Sequence, residues 1–224
     1  DGLIPSGTIG PFATDWRTYL RERNVIVISG AEIERVAVTG DDRAGSFTFS
    51  YRPGSFAGEM RRGNASACLL PGYYLTCAHV VARRPISIIV AVDAWPHALA
   101  EVVWWDRTAD LAIIRSTLCA PATFPMARTA PAIGDVVIAG SSQGPSAGHV
   151  INLVPAASAV PGQLVCDLPN QPGDSGGALV DAAGRLVGLV TRVMGADTVH
   201  VSSVLCPDLL ERIASDAQRA SNGR

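Results

Sequence analysis

The sequence predicts an all-β protein, on three observations. Short apolar runs with a period of two follow one another along most of the chain. Turn signals rich in Gly, Pro and Asp separate them, and stretches with helical spacing are scarce. Many short strands with such punctuation build a sandwich or a barrel rather than an α/β sheet.

In chain order, Thr14 to Arg23 is the first stretch with helical spacing, with Thr14 as its cap. Strands are expected over Val25 to Ile28, Arg35 to Val38 and Phe47 to Tyr51, with Thr39-Gly40-Asp41-Asp42 as a turn between the last two. Arg52 to Arg62, rich in Gly, Pro, Arg and Ser, reads as an exposed connection. Ala67 to Leu70 and Tyr73 to Thr76 flank Pro71-Gly72 and read as a hairpin. Further strands are expected over Ile86 to Val92, Glu101 to Trp105 and Leu111 to Arg115. Adjacent Trp104 and Trp105 should then face opposite sides. Val136 to Ala139, His149 to Val154, Gln163 to Asp167, Ala178 to Val180, Leu186 to Val193 and His200 to Val204 complete the set. Gly140 to Gly148, small and polar, reads as a loop. Pro207 to about Gln218 reads as a closing helix, opened by Pro207 and Asp208, with Leu209, Leu210 and Ile213 on one face.

Composition sets the class. The 224 residues are 48% hydrophobic and 17% charged, enough for a sizeable core and unlike a disordered chain. A formal net charge of −2 offers no electrostatic case for nucleic acid or an anionic membrane. No stretch approaches the roughly 20 apolar residues of a membrane span. The chain opens on Asp1, as expected of a processed or excised domain. Cys68, Cys77, Cys119, Cys166 and Cys206 are odd in number and irregular in spacing, a poor disulfide framework. Counted outward from Pro71-Gly72, Cys68 faces Leu75 and stands diagonal to Cys77 at about 7 Å, the limit of disulfide reach. Free, mostly buried thiols are expected, with no structural metal and no cofactor.

Three segments carry chemistry. A histidine follows a strand in Leu75-Thr76-Cys77-Ala78-His79-Val80-Val81. An aspartate opens a strand in Ala109-Asp110-Leu111-Ala112-Ile113-Ile114. A serine sits in a glycine-rich turn in Pro172-Gly173-Asp174-Ser175-Gly176-Gly177-Ala178. A serine hydroxyl is a weak nucleophile near neutrality and needs a base. An imidazole titrates in the right range, and a carboxylate behind it fixes the tautomer and steadies the imidazolium. Glycines around the serine let the Gly173 and Ser175 amides point at one oxyanion. Each residue alone has an ordinary structural reading, as strand-end histidine, turn aspartate or tight loop. Together, in the order His, Asp, Ser, they read as a catalytic triad.

Gly173, Ser175 and Gly177 also satisfy the G-x-S-x-G nucleophile elbow. That motif requires a helix after the serine and an acid and histidine later in the chain. Here Ala178 to Val190 reads as a β-hairpin, and His200 is the sole histidine beyond Ser175. The elbow reading fails.

These segments resemble the trypsin/chymotrypsin superfamily, and within it the bacterial HtrA/Deg-type protease domains most. Asn64 to Val81, Ala100 to Ala112 and Gln163 to Val190 carry the likeness, which covers about residues 63 to 212. It implies two six-stranded antiparallel β-barrels with the triad between them and a short C-terminal helix. The implied organisation is an extension over 1–60 that contributes to or covers the first barrel, and that barrel's remainder over 61–125. The second barrel follows over 126–206, then the helix and tail over 207–224. No PDZ domain is expected after the barrels. The implied activity is that of a serine endopeptidase acting on proteins or peptides through an acyl-enzyme. Competing expectations are a latent protease-fold module that mainly binds a partner, or a domain released from a polyprotein. Oligomeric state is open, and a secreted or periplasmic setting is favoured over the cytoplasm.

Two departures bear on the site. HtrA-type enzymes carry Asn where this chain has Asp174; with no Ile-Val-Gly-Gly-like start, Asp174 is expected to meet an internal cation or backbone amides. The likeness places Asn170, Gln171 and Pro172 on one wall of the specificity pocket, Thr191, Arg192 and Val193 on another, and Val199 opposite. With no acidic residue at its base, the pocket is not expected to favour Lys or Arg. Val193 and Val199 would narrow it toward small aliphatic side chains, whereas an inward Arg192 would favour acidic ones. His97 and His149 are expected to be solvated, while His200 could line the pocket, as a histidine does in glutamyl endopeptidases. Arg61-Arg62 and Arg83-Arg84 are too short as basic blocks for nucleic acid.

Overall fold

Two closed six-stranded barrels, both antiparallel throughout, form the computed structural model of this chain. It describes residues 15–29, 37–39, 48–50, 61–81, 87–91, 97–141, 144–155, 162–169, 173–193, 198–204, 211, 214–216 and 218–219.

The first barrel contains β1 (Asn24–Ser29), β4 (Arg61–Ala67), β5 (Tyr73–Thr76), β6 (Ser87–Ala91), β7 (His97–Asp106) and β8 (Leu111–Ser116), closed in the order β1-β4-β5-β8-β7-β6. The second contains β9 (Val136–Ser141), β10 (Gly144–Val154), β11 (Gln163–Cys166), β12 (Ala178–Asp181), β13 (Leu186–Val193) and β14 (Val199–Ser203), in the order β10-β11-β14-β13-β12-β9. A separate two-stranded sheet joins β2 (Ala37–Thr39) to β3 (Thr48–Ser50). Closure leaves neither barrel an open edge, which alternating strands of this length otherwise expose.

The central strands of the first barrel are buried on both faces, β5 throughout and β8 over Leu111 to Ile114. One cluster of buried residues, including Val25, Val27, Tyr74, Leu75, Leu111 and Ile113, fills the first barrel and extends to Ile138, Ala178, Leu186 and Leu189 of the second. A second cluster, including Val137, Leu164, Leu179, Val190 and Val201, fills the second barrel. The core thus runs continuously across the seam between the barrels.

Helix α1 (Trp16–Arg21) seals that seam from one side. Its cap is Asp15 rather than Thr14, with the Asp15 side chain accepting the Thr18 amide at 2.7 Å. Trp16, Tyr19 and Leu20 are buried, and the Tyr19 hydroxyl donates to the Gly184 carbonyl of the β12–β13 turn at 2.7 Å. The Arg23 guanidinium lies 3.8 Å from the Tyr19 ring centre and donates to the carbonyls of Thr123 and Tyr19.

Three local expectations are corrected. Within the stretch 140–148, Gly140 and Ser141 end β9 and Gly144 to Gly148 begin β10, paired in register from Gly144 opposite Ser141 to Gly148 opposite Val137. Small polar residues suit strands whose neighbours approach closely: a Cβ at Gly148 would stand 2.5 Å from the Asp167 carbonyl oxygen. The strand before Pro71 ends at Ala67 and begins at Arg61, inside the stretch expected to be a connection. Its hairpin pairs Ser66 with Leu75, and the Cys68 amide donates to the Tyr73 carbonyl, because Leu69 at φ 61° enters the turn. Cys68 therefore faces Tyr73 and not Leu75. A bulge lies between Val102 and Trp104, and beyond it Trp104 and Trp105 pair in regular register with Ile113 and Ala112, both half-buried.

Cys68, Cys77 and Cys166 are buried and free, and Cys119 is exposed and free. Residues 211, 214–216 and 218–219 are helical. Asp216 there accepts from the Tyr73 hydroxyl at 2.9 Å and from Arg115 at 2.7 Å, docking the helix on the first barrel.

Candidate active site

His79 stands just beyond β5, and Asp110 immediately before β8. Because β5 and β8 pair directly, Thr76 opposite Ala112, the two side chains emerge together at one end of the barrel. The Asp110 carboxylate accepts the His79 backbone amide at 3.0 Å and lies 2.8 Å from the ring nitrogen Nδ1. Asp110 has φ 51°, a left-handed conformation that Asp tolerates better than most residues and that turns its carboxylate back toward the ring. The preceding turn is organised by Asp106, whose Oδ1 accepts the Thr108 and Ala109 amides.

The turn that carries Ser175 comes from the second barrel and is bolted to the first. Gly173 has φ 105° and Gly176 has φ 83°, both open to glycine and strained for other residues. A Cβ on Gly176 would overlap the Asn64 carbonyl oxygen, so no other residue fits there. The Ser175 carbonyl accepts the Asn64 amide at 2.7 Å, and the Gly176 amide donates to the Val190 carbonyl at 2.8 Å. Ser66 Oγ donates to the Gly176 carbonyl at 3.2 Å, and the Gly177 amide to that of Asp174 at 2.9 Å. Asp174 is fully buried.

A cleft of about 460 Å³ opens beside this pair, lined by His79, Arg107, Thr108, Asp110, Gln163, Thr191 and His200. Arg107 and Thr108 come from the first barrel, Gln163, Thr191 and His200 from the second. Thr191 donates to the His200 carbonyl at 3.0 Å. Val199 does not line this cleft: it is fully buried in the core of the second barrel, and alternation along β14 presents His200 instead. Asn170, Gln171 and Pro172 lie outside the described residues, as do the side chains of Arg192 and Val193. Arg107 and Gln163 were invisible to the sequence reading as cleft residues. Arg107 stands in the turn three residues before Asp110, which was the available signal. His149 is on β10, 3.5 Å from the Asp167 carboxylate and away from this cleft's lining. The side chain of His97 lies outside the described residues.

Cys77 Sγ, His79 and Asp110 offer ligand atoms within 4.8 Å of one another, a geometry reminiscent of a metal site. The thiol does not suit that role. Its Sγ donates to the Val190 carbonyl at 3.2 Å, and burial, then the Asp110 charge, pushes it well above the usual cysteine range. A metal needs the thiolate, which this setting disfavours.

The family model for the trypsin-like peptidase domain matches residues 63–189, a span that includes His79, Asp110 and Ser175. No curated protein matches the chain in sequence. Among solved structures, the active form of the Rv3671c protease from M. tuberculosis is 21% identical with a TM-score of 0.61, over 90% of this chain and 86% of that one. Its inactive form is 19% identical with a TM-score of 0.60, over 95% and 98%. The HtrA-type protease AlgW with a tripeptide is 20% identical with a TM-score of 0.61; 84% of this chain matches, spanning 58% of AlgW. At these identities the likeness speaks to the fold.

Proposed function

The chain belongs to the trypsin-like peptidase domain family and is a serine endopeptidase, and from that premise we propose how it works: Ser175 is the nucleophile, His79 its general base, and Asp110 the group that orients and stabilises His79. One observation carries this assignment. The Asp110 carboxylate holds both the ring and the backbone of His79 at the edge of an open cleft.

With Nδ1 held by the carboxylate, the proton stays on that nitrogen and Nε2 is free to accept one. Ser175 Oγ attacks the scissile carbonyl carbon and passes its proton to Nε2. Negative charge on the carbonyl oxygen is met by the amides of Gly173 and Ser175. Collapse breaks the peptide C–N bond, and His79 protonates the leaving amine. The acyl-enzyme is then hydrolysed by water along the same route in reverse.

The substrate is a protein or peptide. The described second-barrel lining, Gln163, Thr191 and His200, carries no carboxylate to pair with Lys or Arg. We infer a preference for small uncharged side chains at the residue whose carbonyl is attacked.

A fluorophosphonate probe tests the assignment. Wild type should be labelled at Ser175, whereas Ser175→Ala and His79→Ala should not. Folded wild type that stays unlabelled would favour a latent module that binds a partner instead.

A further inference from the structure

Gly173 supplies one of the two proposed oxyanion donors, and its backbone is held at φ 105°. It has no side chain, and among the described residues nothing lies within 4 Å of where a Cβ would stand. Among the described residues no side-chain packing holds it at φ 105°, and a glycine released from that value rotates at little cost. Something must hold its carbonyl.

That contact comes from the other barrel. Asn64 Nδ2, on β4, donates to the Gly173 carbonyl oxygen at 2.8 Å. A carbonyl oxygen only accepts, so the carboxamide nitrogen must be the atom that faces it. The Asn64 backbone grips the same turn two residues on, its amide donating to the Ser175 carbonyl at 2.7 Å. The Asn64 carbonyl is itself fixed by Thr76 Oγ1 at 2.7 Å, on the strand that leads to His79. Any residue at this position makes the backbone contacts. Only a side chain with a donor at this reach makes the contact to Gly173.

Resting on the catalytic reading above, we propose that Asn64 is a positioning residue for the oxyanion site. Its carboxamide latches the Gly173 carbonyl and so keeps the Gly173 and Ser175 amides aimed at one point. The latch crosses from one barrel to the other, tying the donors to the frame that holds His79. Its effect belongs to the transition state: the oxyanion exists only there, and the carboxamide is spent on the turn rather than on substrate.

The test is steady-state cleavage of one peptide by wild type, Asn64→Ala and the near-isosteric Asn64→Asp, whose ionised carboxylate cannot donate. Loss of an oxyanion donor itself costs about 10²–10³ in kcat, and loosening one should cost about 10–100-fold. Both variants should show that loss with KM within about twofold of wild type and an unchanged thermal midpoint. A peptide aldehyde, whose adduct places an oxygen in the oxyanion site, should weaken by the same factor as kcat/KM. Either kcat within about threefold of wild type, or a loss that tracks a falling midpoint in both variants, overturns the proposal. A wild type that neither cleaves peptide nor takes the fluorophosphonate removes the catalytic reading and this inference with it.

Discussion

The Asp110 carboxylate meets His79 twice, at the backbone amide 3.0 Å from Oδ1 and at ring Nδ1 2.8 Å from Oδ2. The two contacts fix both where the ring is anchored and how it is turned. Asp110→Asn keeps the size of the side chain but removes its charge and invites the wrong tautomer. We expect kcat to fall about 10⁴-fold with the fold intact, as judged by circular dichroism and thermal midpoint. A loss under about tenfold would remove Asp110 from the mechanism.

The two positive-φ glycines flanking Ser175 should respond differently to alanine. At Gly176 the new Cβ collides with the Asn64 carbonyl, so the barrel seam must open. At Gly173 there is room, and the cost is backbone strain of about 1–3 kcal/mol. Thermal unfolding should therefore show Gly176→Ala as the more destabilised, and Gly173→Ala as losing only that strain energy while being slow in catalysis. The reverse order would contradict the turn geometry.

Buried thiols make stability depend on alkaline pH. Burial pushes Cys68 from an ordinary 9.0 up to about 12, and Cys166 likewise to about 12. The folded state thus disfavours thiolates that the unfolded chain forms freely. Their contribution is fully present below about pH 9 and is lost as pH rises from about 9 toward 12. Urea midpoints should fall across that window, less steeply in Cys68→Ala relative to its own value at pH 7. A thiol reagent at pH 8 should modify Cys119 promptly and leave Cys68, Cys77 and Cys166 protected until unfolding.

Tyr74 ties the first barrel to the connection leading to the second. Its buried hydroxyl donates to the Leu118 carbonyl at 2.7 Å and accepts the Ala120 amide at 2.9 Å. Tyr74→Phe leaves both backbone groups without that partner and should cost about 1–3 kcal/mol in chemical denaturation. An unchanged midpoint would mean that water replaces the hydroxyl fully.

The sequence alone determined what depends on local rules. Period-two alternation marked most strands, because a residue in a strand has one face in and one face out whatever its partner. The pairing of His79 with Asp110 rests on two local segments, one closing a strand and one opening its neighbour, and both stand out in the sequence. Tertiary structure decided what depends on distant neighbours. Gly140 to Gly148 carries no apolar signal, and its strand character comes from the partners it pairs with. Val199 and His200 are adjacent in the chain, yet the barrel's inside and outside give one to the core and the other to the cleft. The hold of Asn64 on Gly173, 109 residues away, follows from two barrels meeting. No local pattern encodes such a contact, because its energy exists only once both strands are in place.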